Sequence, residues 1–330
     1  MNGVFIIPTG VGAAIGGHAG DATPAAKLIA ECCDKLIIHP NVVNASDINE
    51  MTPNMLYVEG SILDRFLERK LKLQEVRQNK ILVVANKPVG TDTINATHAA
   101  EATIGINIKI VELSTRLEMI ATMEDGIATG DVRGWKELVL QIRHYNFDAL
   151  AIHTPILVSR EVALNYYKNG GINPWGGVEA KASKLIADVI NRPVAHAPVE
   201  FEHPESDPEL FYIHLETVVN KRIAAEVISN CYLHCVLKGL HKAPRIIHNS
   251  IDGFSLEDID FLISPDLCYG RPHKACQYQN IPIIVVKENR TEAKKPMHGD
   301  GIQFVDNYLA AAGLVMSMKA GINPKYVTAY

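Results

Sequence analysis

The chain has 330 residues, 47% hydrophobic and 21% charged, the balance of a folded protein with a sizeable core. That length requires two domains or one large α/β unit. Lys and Arg total 32 against 37 Asp and Glu, a net charge of -5, which excludes a globally basic nucleic-acid binder. No apolar stretch reaches the length of a membrane span, so neither nucleic acid nor membrane is expected as a partner.

The chain opens MNGVFIIPTG. No basic segment precedes the apolar run, which reads as a first strand and not as a signal peptide. The six cysteines (Cys32, Cys33, Cys231, Cys235, Cys268 and Cys276) form no C-x-x-C pair. Reduced thiols and a cytoplasmic location follow as the expectation.

Short apolar runs at Gly3–Pro8, Lys35–His39, Lys80–Ala85, Ile108–Leu113, Asp148–His153, Pro193–His196, Phe261–Ile263 and Ile281–Val286 show little period-two alternation. That suits strands buried on both faces. Helical patterns lie between them, at Pro24–Cys33, Ser61–Arg69, Thr93–Ile104, Trp135–Tyr145, Gly177–Asn191, Lys221–Lys238 and Phe304–Met318. Alternation of strand and helix predicts an α/β fold with doubly wound, mostly parallel sheets, arranged as two Rossmann-like halves. The Gly-rich stretch Val158–Gly177 and the Pro- and Glu-rich Pro198–Pro208 read as hinges or lids. The boundary is placed in the first, giving 1–165 and 166–330.

The strands repeatedly end in a polar residue beside Pro or Gly: Pro8-Thr9-Gly10, His39-Pro40-Asn41, Asn86-Lys87-Pro88, His153-Thr154-Pro155 and His196-Ala197-Pro198. Ligands of open α/β sheets bind beyond the carboxyl ends of strands, so these ends predict a loop-built crevice. The first loop carries Gly10, Gly12, Gly16, Gly17, His18 and Asp21, then Thr23-Pro24. Thr23 is expected as N-cap with Pro24 in the first turn. Free N–H groups at such an end, approached over glycines, form a candidate anion cradle. It is not a P-loop, since no Gly-Lys-Ser/Thr follows. It departs from the dinucleotide fingerprint, with Ile15 at the third glycine position and His39 where an acid would end the second strand.

His39, His153 and His196 stand at strand ends and His18 in the loop, so acid–base chemistry near neutral pH is the first reading. Asp21 or Glu200 would supply the oxygen ligand of a metal site, but no standard metal motif is present and no metal or cofactor is assigned. Cys268, between a strand and an expected helix near Arg271 and His273, is a candidate nucleophile with a lowered pKa. Asn173, Trp175 and Glu179 form a second ligand loop, in which Trp175 stacks on a ligand or anchors the loop. Lys87 meets Asp92 or a substrate anion. The apolar segment Tyr308–Met318 either joins the two halves or forms a homo-oligomer seam.

The whole chain resembles a family of unknown function found in cyanobacteria, other bacteria and photosynthetic eukaryotes. The resemblance rests on Ile6-Ile7-Pro8-Thr9-Gly10, Gly16-Gly17-His18-Ala19-Gly20-Asp21-Ala22-Thr23-Pro24, His39-Pro40-Asn41, Tyr57-Val58-Glu59-Gly60, Asp148–Ile152, Asn173–Glu179 and Ile281–Val286. Locally, Gly16-Gly17-His18-Ala19 with Pro24-Ala25-Ala26 resembles the first loop of two-domain glycosyltransferases. Ile281–Val286 with Glu288–Glu292 resembles the far end of nucleotide-sugar epimerases, which implies uridine nucleotide binding in the C-terminal half. Arg271-Pro272-His273-Lys274 departs from the acidic ribose motif of that group. Asp148–Leu157 resembles a strand of aspartate/glutamate racemases, but His153 stands where a cysteine is expected and Ala85-Asn86-Lys87 lacks the other.

The expected function is an enzyme, a transferase or isomerase, acting on a small anionic or phosphorylated metabolite through histidine acid–base chemistry. A nucleotide-sugar protein and a non-catalytic sensor are the alternatives.

Overall fold

The structure, a computed structural model, describes residues 1–199, 232–248 and 253–327, together with Val218, Arg222 and Ala224. Glu200, Cys231, most of Pro198–Pro208 and the first part of the helix expected at Lys221–Lys238 lie outside the described residues.

The chain runs β1 (Asn2–Phe5), α1 (Thr23–Glu31), β2 (Lys35–Ile38), β3 (Met55–Tyr57), α2 (Gly60–Leu67), β4 (Lys72–Gln74). It continues β5 (Lys80–Asn86), α3 (Thr91–Ile104), β6 (Asn107–Leu113), β7 (Glu118–Glu124), β8 (Ile127–Arg133), α4 (Trp135–Ile142), β9 (Ala149–Leu157). Then come α5 (Arg160–Asn169), α6 (Gly176–Ile190), β10 (Val194–Val199), α7 (Tyr232–Lys242) and β11 (Arg245–Ile247). The last elements are β12 (Phe261–Cys268), α8 (Arg271–Tyr278), β13 (Ile283–Lys295), β14 (Ile302–Val305) and α9 (Tyr308–Lys319).

The fold is α/β. The first sheet has the order β14-β13-β12-β1-β2-β3, and every neighbouring pair in it is parallel. Numbered within that sheet the order is 3-2-1-4-5-6, a doubly wound arrangement whose direction reverses between β1 and β12. The second sheet runs β6-β5-β9-β7-β8, with β10 also on β9. It is parallel except for the β7–β8 hairpin.

Apolar residues fill both faces of the central strands, which is why period-two alternation is missing. Val4 and Ile6 pack with Phe66 of α2 and Cys276 of α8. Their neighbours Phe5 and Ile7 pack on the other face with Ile29 of α1 and Val315 of α9. In the second sheet Leu82 and Val84 meet Leu138 and Ile186, while Ile81 and Val83 meet Ala100 and Leu237.

Several expectations need correction. The sheets do not divide the chain at 165 and 166, because both chain ends build the first sheet and 80–199 builds the second. That boundary falls inside α5, whose N-cap Ser159 accepts from the Val162 N–H. The stretch read as a hinge is thus largely helix. Phe304 lies in β14, and α9 starts only at Tyr308, where the Asn307 side chain caps it by accepting from Ala310 N–H at 2.9 Å. The α9 helix packs on α1 in the first sheet's outer layer and does not join the two sheets. Thr23 is the first helical residue and not the cap. Ala22 holds the cap position with no side-chain bond, and the Thr23 hydroxyl is buried without a hydrogen-bond partner among the described residues.

Candidate functional site

The carboxyl ends of both sheets meet around one cavity of about 660 Å³, in the size range of small-molecule sites. The two sheets approach through glycines. The Ala128 N–H of β8 donates to Gly10 O at 2.9 Å. A Cβ at Gly10 would stand 2.7 Å from Ala128 O, and one at Gly177 only 2.0 Å from it. Positive φ at Gly10 adds a second reason for glycine there.

Part of the glycine loop is satisfied from within. Asp21 Oδ1 accepts from the N–H groups of Gly16 (2.8 Å) and His18 (3.4 Å), while Arg222 pairs with Asp21 Oδ2. The tail of β13 covers the loop: Ala14 N–H donates to Arg290 O, Ile15 N–H to Asn289 Oδ1, and Glu292 N–H to Val11 O. These four amides are occupied by protein acceptors, which leaves the backbone at Gly10, Gly12 and Gly17, together with side chains, to meet an anion in the cavity. Thr9, Gly10, Gly12, Gly16, Gly17 and His18 still line the cavity, whereas Asp21 and Thr23 stand behind it.

The histidines part company. His18, His39 and His196 line the cavity. His18 Nδ1 meets Tyr166 Oη at 2.9 Å, and burial pulls its pKa down. His39 Nδ1 accepts from the Asn41 N–H at 3.2 Å, and desolvation lowers its pKa to about 4. Asn41 itself donates from Nδ2 to Pro8 O. His153 faces the other side of β9 and is not on the cavity. Its Nδ1 meets Thr93 Oγ1 at 2.8 Å, and burial lowers its pKa to about 4. Asp92 lies 3.9 Å from His153 Nε2 and forms no pair with Lys87, which is exposed and off the cavity.

His196 is held from both sides. Its Nδ1 lies 3.0 Å from Glu179 Oε1, and its Nε2 lies 3.0 Å from Thr154 Oγ1. With Glu179 ionised, Nδ1 carries the hydrogen and Nε2 accepts from the threonine. The imidazole is therefore spent on orienting Glu179, whose Oε2 has no partner among the described residues.

Glu59 stands on the opposite wall, 8% exposed. It caps α2: Oε2 accepts from Ser61 N–H (3.1 Å) and Oγ–H (2.7 Å). Burial outweighs those bonds and pushes its pKa up to about 7, a value fitted to proton transfer at neutral pH. Tyr57 lies between the two acids electrostatically. Burial first, then Glu59 and Glu179, raise its phenol pKa.

Cys268 lines the cavity, but its expected lowered pKa is reversed: burial pushes the thiol up to about 12. Its Sγ donates to Pro265 O at 3.2 Å. The nearby Ser264–His273 pair, 2.7 Å apart, resembles an activated nucleophile but has the wrong tautomer. His273 Nδ1 accepts from Gly270 N–H, so Nε2–H donates to Ser264 and cannot take its proton. Arg271 is held by Glu68 and Asp64 and caps nothing in the cavity by itself. Asn173 takes the Trp175 and Gly176 N–H groups on Oδ1. Trp175 packs edge-on against Tyr166 and tilted against Tyr167, anchoring the loop while all three rings line the cavity.

The sequence and its relatives agree on kinship. Residues 2–328 match a family described as a protein of unknown function, DUF3326. The chain belongs to this family. An uncharacterized lipoprotein of Synechococcus sp. is 32% identical over 348 residues, spanning 98% of this chain and 92% of that protein. The full-length resemblance read from the sequence is thereby confirmed.

In this DUF3326 chain, then, most of the ligand candidates share one cavity, while His153, Lys87, Asp21 and Thr23 do not line it. Sequence reasoning missed Tyr57, Glu59, Tyr166, Ser183 and Lys184. Glu59-Gly60-Ser61 does carry a signal, an acid ahead of a helical pattern whose cap points into the site. Among the described residues no group of three or more His, Cys, Asp or Glu could hold a metal ion, and no helix is long and apolar enough to cross a membrane.

Proposed function

We propose that the protein is an enzyme acting on a small anionic metabolite bound between the carboxyl ends of the two sheets. One observation carries this reading. Two carboxyl groups with opposed environments, Glu59 buried and near neutral in pKa, Glu179 fixed by His196, line the same cavity. A buried carboxyl poised near neutral pH beside a second, rigidly held carboxyl is suited to acid–base catalysis. Glu59 would donate or accept the proton, and Glu179 would accept a hydrogen bond from a substrate hydroxyl. His196 is a positioning residue in this scheme. In this reading the acid–base role moves from the histidines expected from sequence to the carboxylates, because the rings of His39, His153 and His196 are already hydrogen-bonded within the fold.

Lys184 and Lys295, both exposed and both on the cavity, would supply positive charge for an anion beside the glycine loop. A cytoplasmic location belongs to this reading. The thiols of Cys32, Cys33, Cys268 and Cys276 are free, which supports a reducing compartment. The lipoprotein name of the cyanobacterial relative supports a membrane surface instead, and cell fractionation decides between them.

The test is turnover in a metabolite extract followed by untargeted mass spectrometry. The wild type should deplete one metabolite and raise another, and Glu179→Gln should do neither. Retention of a metabolite without conversion would replace the enzyme with a non-catalytic binding protein.

A further inference from the structure

Helix α6 lays a single stripe along the cavity: Gly176, Glu179, Ala180, Ser183 and Lys184 all line it. The spacings of three and four residues put them on one helical face. Ser183 is only 5% exposed, yet its hydroxyl bonds no described residue, including the carbonyl one turn back that helical serines ordinarily use. A serine this buried, whose hydroxyl meets only the cavity among the described residues, is a group that a ligand there can satisfy. Glu179 Oε2 likewise has no partner among the described residues. Lys184 forms no salt bridge with a described residue; its charge acts on Asp64, which Arg271 engages at 3.3 Å.

Each group asks for a different chemistry. An ionised carboxylate only accepts, a serine hydroxyl both donates and accepts, and an ammonium only donates. Read along the helix, with about 1.5 Å of rise per residue, the acceptor and the hydroxyl are separated by about 6 Å, with the cation just beyond. Thr9, whose hydroxyl also bonds no described residue, adds a neutral group on the facing loop. A zwitterion or an amine would leave Ser183 and Thr9 without purpose, and a bare anion would leave Glu179 repelling it.

Resting on the reading above that this cavity is the ligand site, we infer that it takes a polyhydroxylated metabolite bearing one terminal anionic group. Its hydroxyls meet Glu179 and Ser183, and its phosphate or carboxylate meets Lys184. The ligand is thus of sugar-phosphate or sugar-acid type, and the two anions are separated by experiment.

The test uses the full chain with Trp135→Phe, which leaves Trp175 on the cavity wall as the single tryptophan reporter. Fluorescence titration compares a panel of three- to seven-carbon sugar phosphates, the corresponding sugar acids, D-glucose, inorganic phosphate and putrescine. At least one sugar phosphate or sugar acid should bind at least about tenfold more tightly than glucose, phosphate or putrescine. Which of the two anion classes wins names the group. Ser183→Ala should weaken that ligand, and Lys184→Met should weaken it by about tenfold, the scale of one lost charge-assisted bond, while both variants keep the wild-type melting temperature within a few degrees. Tightest binding of putrescine, or unchanged affinity in both variants, overturns the assignment. Quenching of Trp175 only by uncharged aromatic fragments also overturns it, yet leaves the cavity as a ligand site. Silence toward every probe and fragment removes both readings.

Discussion

Glu179 Oε1 and His196 Nδ1 stand 3.0 Å apart, joining the first turn of α6 to the middle of β10. The histidine ring is buried while the acid reaches the cavity. Glu179→Ala leaves that ring with an unpaired Nδ1–H. A loss of about 1–3 kcal/mol is expected, the cost of one buried polar group without its partner. Glu179→Gln keeps an acceptor and should lose less. Urea denaturation of the two variants measures the difference, and equal losses would mean that the contact does not hold the ring.

Glu59 gives the fold a pH dependence of definite sign. Its pKa is raised from 4.5 to about 7 in the folded protein, so the folded state binds the proton more tightly than the unfolded chain. Its contribution to stability is therefore full below about 4.5 and declines as pH rises through about 7, by roughly 3 kcal/mol in all. Glu59→Gln cannot ionise. Its melting temperature relative to wild type should rise steadily between pH 5 and pH 8. A constant difference across that range would show that Glu59 titrates as an ordinary surface acid.

The buried histidines behave in the opposite sense. His153 and His273 have pKa values lowered to about 4 by burial, so they stabilise the fold above about 6.5 and lose that contribution as pH falls toward 4. Nitrogen-15 spectra at pH 5.5 should show both rings neutral, with His273 in the Nε2–H tautomer that donates to Ser264. A protonated His273 at that pH would break the hydrogen-bond assignment around Cys268.

Gly177 tests the close contact between the sheets, and Gly313 on the outer helix α9 serves as its control. Gly177→Ala drives a methyl to 2.0 Å from the Ala128 carbonyl oxygen, a backbone atom that cannot rotate away. A loss above about 3 kcal/mol is expected, in the range reserved for clashes of this kind. Gly313→Ala on α9 meets open space and should raise stability by about 1 kcal/mol through helix propensity alone. Thermal denaturation of the pair reads both signs.

The sheets were legible because their strands are uninterrupted apolar runs. Val4, Phe5, Ile6 and Ile7 point alternately into two cores and are apolar in both. The return of the chain's C-terminal strands to β1 was not legible, since no local pattern records which strand pairs with which. The β7–β8 hairpin was missed although Asp125-Gly126, both at positive φ, is a strong turn signal. Its strands are exposed and polar enough to pass for loop. At the site, polar strand ends pointed to Thr9, His39 and His196, which line the cavity. The carboxylates were harder, because the value of Glu59 lies in its burial and that of Glu179 in a histidine 17 residues away. In the glycine loop, Asp21 takes two of the amides that sequence alone left open.

Ala180 offers the most direct test that the cavity holds a small molecule. It is exposed yet on the cavity stripe of α6, so Ala180→Trp should fold normally while blocking the space. Native mass spectrometry after incubation with a metabolite extract should show a discrete small-molecule adduct on the wild type and none on Ala180→Trp. Equal adducts on both proteins, or none on the wild type, would contradict a ligand site between the two sheets.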